Sequence, residues 1–405
     1  MATSELAVWI FLPGDVNPVL CGRVRADGPY YRFEYSRRYT SNPAAIPVAP
    51  QRYPLRDRIP LPRIGGRLPG PIDDAGPDHW GRRVIEYRNQ VAGLGELDYL
   101  ADSRGDRIGA LHFQAGYDEY SQATQTPSTL VELLGAAAAL ELNQPLTPAL
   151  AAALEHGTSI GGARPKALLR DGGVGSVAKF QSTSDRRAVV RAELATMQLA
   201  ARCGLNVAAV DLQRIDQKDV LLVRRFDRVP VEDGTLSRRH LLSALTLLDL
   251  DETEARLASY PAFAELLIRH SRGGVDDARE LFRRMVFNIL VGNTDDHARN
   301  HAAFWDGQYL DLTPAYDLVP LWRAGQEASQ AMEMGAEGRA STLRNALSQS
   351  GRFGLSRQDA LALVDGIEET IAAHWRAEFE VAQVPTIDIE ALAERAMLSP
   401  VARAR

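Results

Sequence analysis

The chain has 405 residues, 45% of them hydrophobic, and carries 46 Lys and Arg against 52 Asp and Glu, a formal net charge of −6. That length and apolar content suit two or three packed domains, and the negative balance argues against a protein that wraps nucleic acid over its whole surface. Cys21 and Cys203 are the only cysteines and sit in unrelated contexts, which argues against a disulfide framework or a cysteine zinc site.

The first apolar stretch, "LAVWIFL" from Leu6, is about seven residues long, ends at Pro13-Gly14 and has no basic lead, so it reads as a strand and not as a signal peptide. No run approaches the roughly 18 apolar residues of a membrane span, and a cytoplasmic protein without membrane partners is expected. Further β-like runs follow: "CGRVRADGPYYRFEY", with a turn at Asp27-Gly28-Pro29, and "IGALHFQ" from Ile108. Between them a Pro- and Gly-rich stretch leads to a helix opening after Pro77-Asp78. These runs predict a β-rich first domain over 1–127, closed by a polar, turn-prone linker near 115–128.

Helical segments are expected near 128–142 and 147–156, both rich in Ala and Leu. Then come a glycine-containing loop, a short strand around Ala167 to Leu169, and a second strand around Ser176 to Phe180. A helix carrying Glu193 and two strands, "VAAVDLQRI" and "VLLVRRF", complete a region at 128–235. From about Arg239 nearly every segment looks helical, apart from Trp305 to Asp317, which predicts a helical region over 236–405.

The stretch "LVGNTDDHARNHAAF" from Leu290 gathers polar residues directly behind an apolar run, which is costly unless they bind something or satisfy one another. Asn300 follows Asp295 by five positions, the spacing between catalytic Asp and metal-binding Asn in the kinase loop H-R-D-L-x-x-x-N. Asp317, in "YLDLTPAYDLVP", is the natural second metal ligand, since Mg²⁺ on nucleotide phosphates takes only one or two protein carboxylates. Lys179 ends "SVAKF", a small and β-branched lead like that of the lysine that reaches the α- and β-phosphates in kinases. Glu193 is fourteen positions further on, placed to pair with it.

Taken singly, each of these is more often an ordinary surface charge or turn. Their order is what favours a phosphoryl-transfer site, in which the protein orients phosphates and offsets charge while contributing little covalent chemistry. The loop Ser159-Ile160-Gly161-Gly162-Ala163-Arg164-Pro165-Lys166 matches neither common phosphate-loop pattern, yet its glycines allow backbone N–H groups to approach phosphates. The backbone at Arg224 to Phe226 is expected to meet the adenine edge. His297 has no second His or Cys at ligand spacing, and is expected to support the loop by hydrogen bonding.

The ordered motifs "TSIGGARPKALL", "VAKF", "GLNVAAV", "LLVRRFDR", "NTDDHARNHAAF" and "LTPAYDLVP" resemble the HipA family of serine/threonine kinase toxins of bacterial toxin-antitoxin systems, and "YTSNPAAIPVAP" and "GDRIGALHFQ" are similar to that family's N-terminal subdomain. The resemblance implies an α+β, protein-kinase-like two-lobe fold with a β-rich N-terminal part and an all-helical C-terminal lobe. It implies ATP and Mg²⁺ as cofactors, with Asp295 as catalytic Asp, Asn300 and Asp317 as Mg²⁺ ligands and Lys179 on the phosphates. Gly161, Gly162, Ala163, Arg164 and Lys166 then form the phosphate-binding loop, and Ser159 is the self-phosphorylated serine. A phosphoserine there adds about −1.5 to −2 charge beside the ATP phosphates, which implies that the loop leaves the site and the kinase switches off.

The implied partners are a small helix-turn-helix antitoxin dimer, operator DNA through that antitoxin, and a protein substrate such as an aminoacyl-tRNA synthetase. Two departures, "LSRRHLLSALTLLDL" from Leu236 and Arg164-Pro165, touch the substrate side. Alternatives are a small-molecule kinase on a similar scaffold and an inactive corepressor subunit of an antitoxin–DNA complex.

Overall fold

The computed structural model of the chain describes residues 3–56, 67–103, 106–121, 128–145, 147, 164–169, 173–232, 234–322, 325 and 327–405. Ser159, Gly161, Gly162 and Ala163, and all but Thr147 of the expected 147–156 helix, lie outside the described residues. The chain forms two compact units. One comprises Met1–Ser184, Gln213–Leu242 and Phe304–Gln308, and the other comprises Asp185–Leu212, Ser243–Ala303 and Tyr309–Arg405.

The first unit opens with an antiparallel sheet in the order β3-β2-β1-β4, built from β1 Glu5–Ile10, β2 Val19–Asp27, β3 Tyr30–Tyr35 and β4 Leu111–Gln114. Trp9 lies opposite His112 in the β1–β4 register, so these two side chains share a face with Phe11, whereas Val8, Ile10, Leu111 and Phe113 point the other way. A second sheet has the order β5-β6-β8-β7, with β5 Lys166–Leu169, β6 Ser176–Phe180, β7 Val210–Ile215 and β8 Lys218–Arg224. Strand β6 alternates buried and half-buried residues, as the sequence predicts.

One face of this second sheet presents Ala167, Ala178, Phe180, Val220 and Leu222 to Trp80 and Val84 of the His79–Asn89 helix and to Leu133, Leu134 and Leu140 of the Leu130–Glu141 helix. Burying a side chain such as Phe180 contributes about 1.5 to 3 kcal/mol. Each helix is started by a side-chain cap. The Asp78 carboxylate accepts from Gly81 N at 2.8 Å, and Thr129 and Glu132 form a reciprocal capping box. The strands β9 Arg228–Pro230 and β10 Leu236–Arg238 pair as a small ribbon.

The second unit is mainly helical: Val189–Arg202, Tyr260–His270, Val275–Val291, Leu343–Ser348, Arg357–Val381 and Thr386–Arg395. The stretch 236–405, part of which falls in the first unit, is less uniformly helical than its sequence predicts: strand β11, His240–Ser243, leaves only Ala244–Leu247 as helix in the leucine-rich "LLSALTLL", and β12 is Ala302–Trp305, whereas β13 Leu310–Leu312 falls in the stretch expected not to be helical. Among the described residues, no helix is long and apolar enough to cross a membrane.

Candidate active site

The Val275–Val291 helix starts with Asp276 and Asp277 in its first turn, where the helix dipole favours negative charge, and ends on Gly292 in the left-handed region at φ +74°. A side chain at Gly292 would also collide with Ala396, whose Cβ lies 2.9 Å from the position a Cβ would take. Glycine is therefore required twice over at the point where the helix gives way to the Asp295 loop.

The polar residues beyond it bond to one another, leaving Asn293 Oδ1 and His301 Nδ1 buried without a partner. Asn293 Nδ2 donates to Asn288 Oδ1 at 3.0 Å, and Asn288 Nδ2 donates to Asp296 Oδ2 at 2.7 Å. The same Asp296 oxygen is 3.0 Å from His301 Nε2. All four residues are buried. This network answers why a loop of polar side chains can follow an apolar helix, because buried polar groups are tolerated when they are paired.

Asp295 is the exposed member of the stretch, next to its buried neighbour Asp296. Its carbonyl accepts from His297 N at 2.9 Å and from Asn300 Nδ2 at 3.3 Å. The second of these bonds brings the two predicted site residues together. It also assigns the Asn300 amide: the NH₂ group is turned to the backbone, leaving Oδ1 as the atom suited to a hard cation.

His297 supports the loop through its main chain, with its carbonyl accepting from Asn300 N at 2.8 Å, while its ring Nδ1 is buried without a partner. Side-chain support comes from Asp296, Asn288 and His301. The available signal in the sequence is Asn288, the lone amide inside the apolar run Met285–Val291.

Asp317 adopts φ +60°, a left-handed conformation uncommon outside glycine. Its approach is anchored on both sides. Ala315 N donates to Asn206 O at 2.8 Å and Thr313 N to Ala302 O at 3.0 Å. The buried Arg284 guanidinium donates to Thr313 O at 2.8 Å and Asn206 O at 3.2 Å, while its Nε meets Glu280 at 3.0 Å. Burial lowers the Arg284 pKa against the opposing pull of Glu280. Tyr316 donates its hydroxyl to Arg299 O at 2.8 Å, so the residues directly before Asn300 and Asp317 are tied to each other.

In the first unit, Lys179 lies opposite Lys166 in the β5–β6 register, on the sheet face away from the Trp80 and Phe180 core. Lys166 is buried, with its ammonium 3.6 Å from Asp78, and its carbonyl accepts from Trp80 Nε1 at 3.1 Å. Burial pushes the Asp78 carboxyl up to about 6 despite the nearby Lys166 charge. Arg164 precedes Pro165, whose carbonyl takes the Phe180 N–H at 3.0 Å.

At the end of β8, Arg224 is exposed, and the Phe226 ring meets Phe304 edge-on at a centroid distance of 6.0 Å. Between and beyond them lies an ion cluster. Arg225 pairs with Asp227 at 2.8 Å and Asp106 at 3.1 Å, and Arg228 pairs with the same two carboxylates at 2.9 and 2.7 Å. Burial alone would raise the Asp227 pKa, but Arg225 and Arg228 hold it down at about 2. Among the described residues, no group of three or more His, Cys, Asp or Glu could hold a metal by itself. A cation carried in on nucleotide phosphates needs no such group.

The HipA-like C-terminal domain family model matches residues 158–375, more than half of the chain, and the HipA N-terminal domain model matches residues 16–114. A Sinorhizobium fredii protein that carries a kinase name, Y4mE, is 28% identical over 313 residues, 71% of this chain and 71% of its own length. The serine/threonine-protein kinase toxin HipA of Shewanella oneidensis is 29% identical over 143 residues, 31% of this chain and 33% of that protein. A chain in the solved complex of Shewanella oneidensis HipA, HipB and operator DNA is similar in fold, with a TM-score of 0.68 at 20% identity, covering 96% of this chain and 94% of that one.

Proposed function

This chain belongs to the HipA family and is a kinase of α+β, kinase-like fold, and on that premise we propose that it is a protein serine kinase using ATP and Mg²⁺. The observation that carries the reading is the bond from Tyr316 to Arg299 O, which fixes the run leading to Asp317 against the loop holding Asp295 and Asn300.

In this reading the exposed Asp295 carboxylate orients the substrate hydroxyl and takes up its proton as phosphate is transferred. Asn300 Oδ1 and Asp317 hold Mg²⁺, which when bound neutralises charge on the phosphates. Lys179 binds the nucleotide phosphates, and the backbone at Arg224 to Phe226 meets the adenine edge. Gly161, Gly162, Ala163, Arg164 and Lys166 form the phosphate-binding loop. Lys166 contributes through its main chain, since its ammonium is engaged by Asp78. Ser159 is the self-phosphorylation site, and its phosphate expels the loop by repulsion from the nucleotide.

The partners we assign are a small helix-turn-helix antitoxin dimer and, through it, operator DNA. Support comes from the HipB and operator present with the Shewanella chain of similar fold. The substrate class is a cellular protein such as an aminoacyl-tRNA synthetase, modified on serine in the cytoplasm to arrest growth. The functional divisions are 1–127, the nucleotide-binding region 128–235, and the catalytic region 236–405.

Incubation with γ-labelled ATP and Mg²⁺, followed by peptide mapping, tests the reading. Label on Ser159 that disappears in a folded Asp295→Gln variant is the expected result. Label appearing only on an added sugar, or no label at all on folded wild-type protein, overturns it.

A further inference from the structure

A second polar centre lies in the first unit. On the face of the N-terminal sheet that carries Trp9, Phe11 and His112, the Tyr120 ring stands 5.7, 5.8 and 5.3 Å from those three rings. The Arg238 guanidinium lies over Phe11, 4.0 Å from the ring centroid. Four polar atoms of these residues are buried without any hydrogen-bond partner: Trp9 Nε1, Tyr120 Oη, Arg238 Nη1 and His112 Nδ1. Three can only donate or readily donate, and a neutral imidazole can place its proton on Nδ1. Orphaned donors gathered on one aromatic-lined face call for an acceptor, since each unpaired group costs about 1 to 3 kcal/mol.

Charge gives the acceptor its sign. Among the described residues, Arg107, Arg225, Arg228 and Arg238 are buried together with two carboxylates, Asp106 and Asp227. Asp106 and Asp227 are both saturated by Arg225 and Arg228, and Arg238 reaches Asp106 only at 3.5 Å. Arg107 spends Nη1 and Nη2 on the Ala75 and Leu100 carbonyls, while its Nε is buried without a partner. The adjoining segments 104–105 and 122–127 contain no acidic residue. A water molecule would satisfy hydrogen bonds yet leave two buried positive charges unmatched, an arrangement that desolvation penalises heavily. Burial together with Arg107 and Arg238 holds His112 neutral, with its pKa down at about 3, so the imidazole adds no further charge.

We propose that a single halide-sized anion, chloride in the cell, is bound on this face by Arg238 Nη1, the Tyr120 hydroxyl and the Trp9 indole N–H, with His112 Nδ1–H completing the set. The anion is structural: it joins β10, through Arg238, to β1 and β4 of the N-terminal sheet.

The test uses the full chain. Crystals soaked in bromide should show an anomalous peak between Arg238 Nη1 and the Tyr120 hydroxyl. In solution, replacing gluconate by chloride at equal ionic strength should raise the unfolding midpoint by about 2 to 4 °C, and Arg238→Gln should abolish that rise. Should Arg238→Gln fail to fold, Tyr120→Phe keeps the ring packing and should reduce the chloride effect. A site holding only water with no bromide signal, or a chloride effect that is undiminished in the folded variants, overturns the proposal.

Discussion

Tyr316 donates to the carbonyl of Arg299 across 2.8 Å, joining the neighbour of Asp317 to the neighbour of Asn300. Tyr316→Phe removes this one bond and retains the ring. Stability should fall by about 1 kcal/mol, while kcat falls about tenfold because the two residues proposed to hold one cation lose their common reference. Urea denaturation and steady-state kinetics on the same variant separate the two effects. A stability loss without any loss of kcat would remove the positioning role.

Asp296 is the buried partner of both Asn288 and His301. Asp296→Ala leaves an amide and an imidazole without their acceptor in the interior, and should cost about 3 kcal/mol. Asp296→Asn can still accept from one of them and should cost less. Equal unfolding free energies for both variants would contradict this ordering.

Gly292→Ala meets two penalties, a left-handed backbone and the contact with Ala396. Together they should destabilise the protein by about 2 to 3 kcal/mol. In the double variant with Ala396→Gly the Cβ contact goes, but the residue-396 Cα and carbonyl oxygen at 3.0 and 3.1 Å and the conformational cost stay, so only a minor part of the loss should be recovered. A double-mutant cycle by chemical denaturation measures this coupling.

His240 is buried, with Nε2 2.8 Å from the Val48 carbonyl, and burial pulls its pKa down to about 4. Between the unfolded value near 6.5 and about 4, the unfolded chain binds a proton that the folded chain refuses. Stability from this group is thus complete above pH 6.5 and is lost as pH falls towards 4, by about 3 kcal/mol in all. His240→Gln, whose amide can still donate to Val48 O, should flatten that part of the stability–pH curve. An unchanged curve would show that the acid lability arises elsewhere.

Much of this arrangement was legible in the chain. The small and β-branched lead of "SVAKF" marks β6, and the apolar run ending at Gly292 marks the helix before the Asp295 loop. The stretch 236–243 was not, because the residues hidden at every second position, Arg238, His240 and Leu242, include two polar ones. A pattern of hydrophobicity cannot register two short strands, β10 and β11, whose buried side chains include an arginine over Phe11 and a histidine on Val48 O. The leucines alone then fit a helical period. The role of "RRFDR" was obscured in a related way, since Asp106 lies 119 positions before Arg225 and no spacing rule connects them. The Asp295 loop was easier because Asp295 and Asn300 are five positions apart, whereas the network beneath it depends on helix residues that face it only after folding.

Leu398 donates its N–H to Leu290 O at 2.7 Å, and Ala396 closes over Gly292. The last turn of the Val275–Val291 helix is therefore completed by residues synthesised about a hundred positions later. On a ribosome, where folding proceeds from the N-terminus, a nascent chain that has already exposed Asp295 still lacks the segment that seats its loop. Seating of the Asp295 loop therefore waits until residues 396 to 398 have been made.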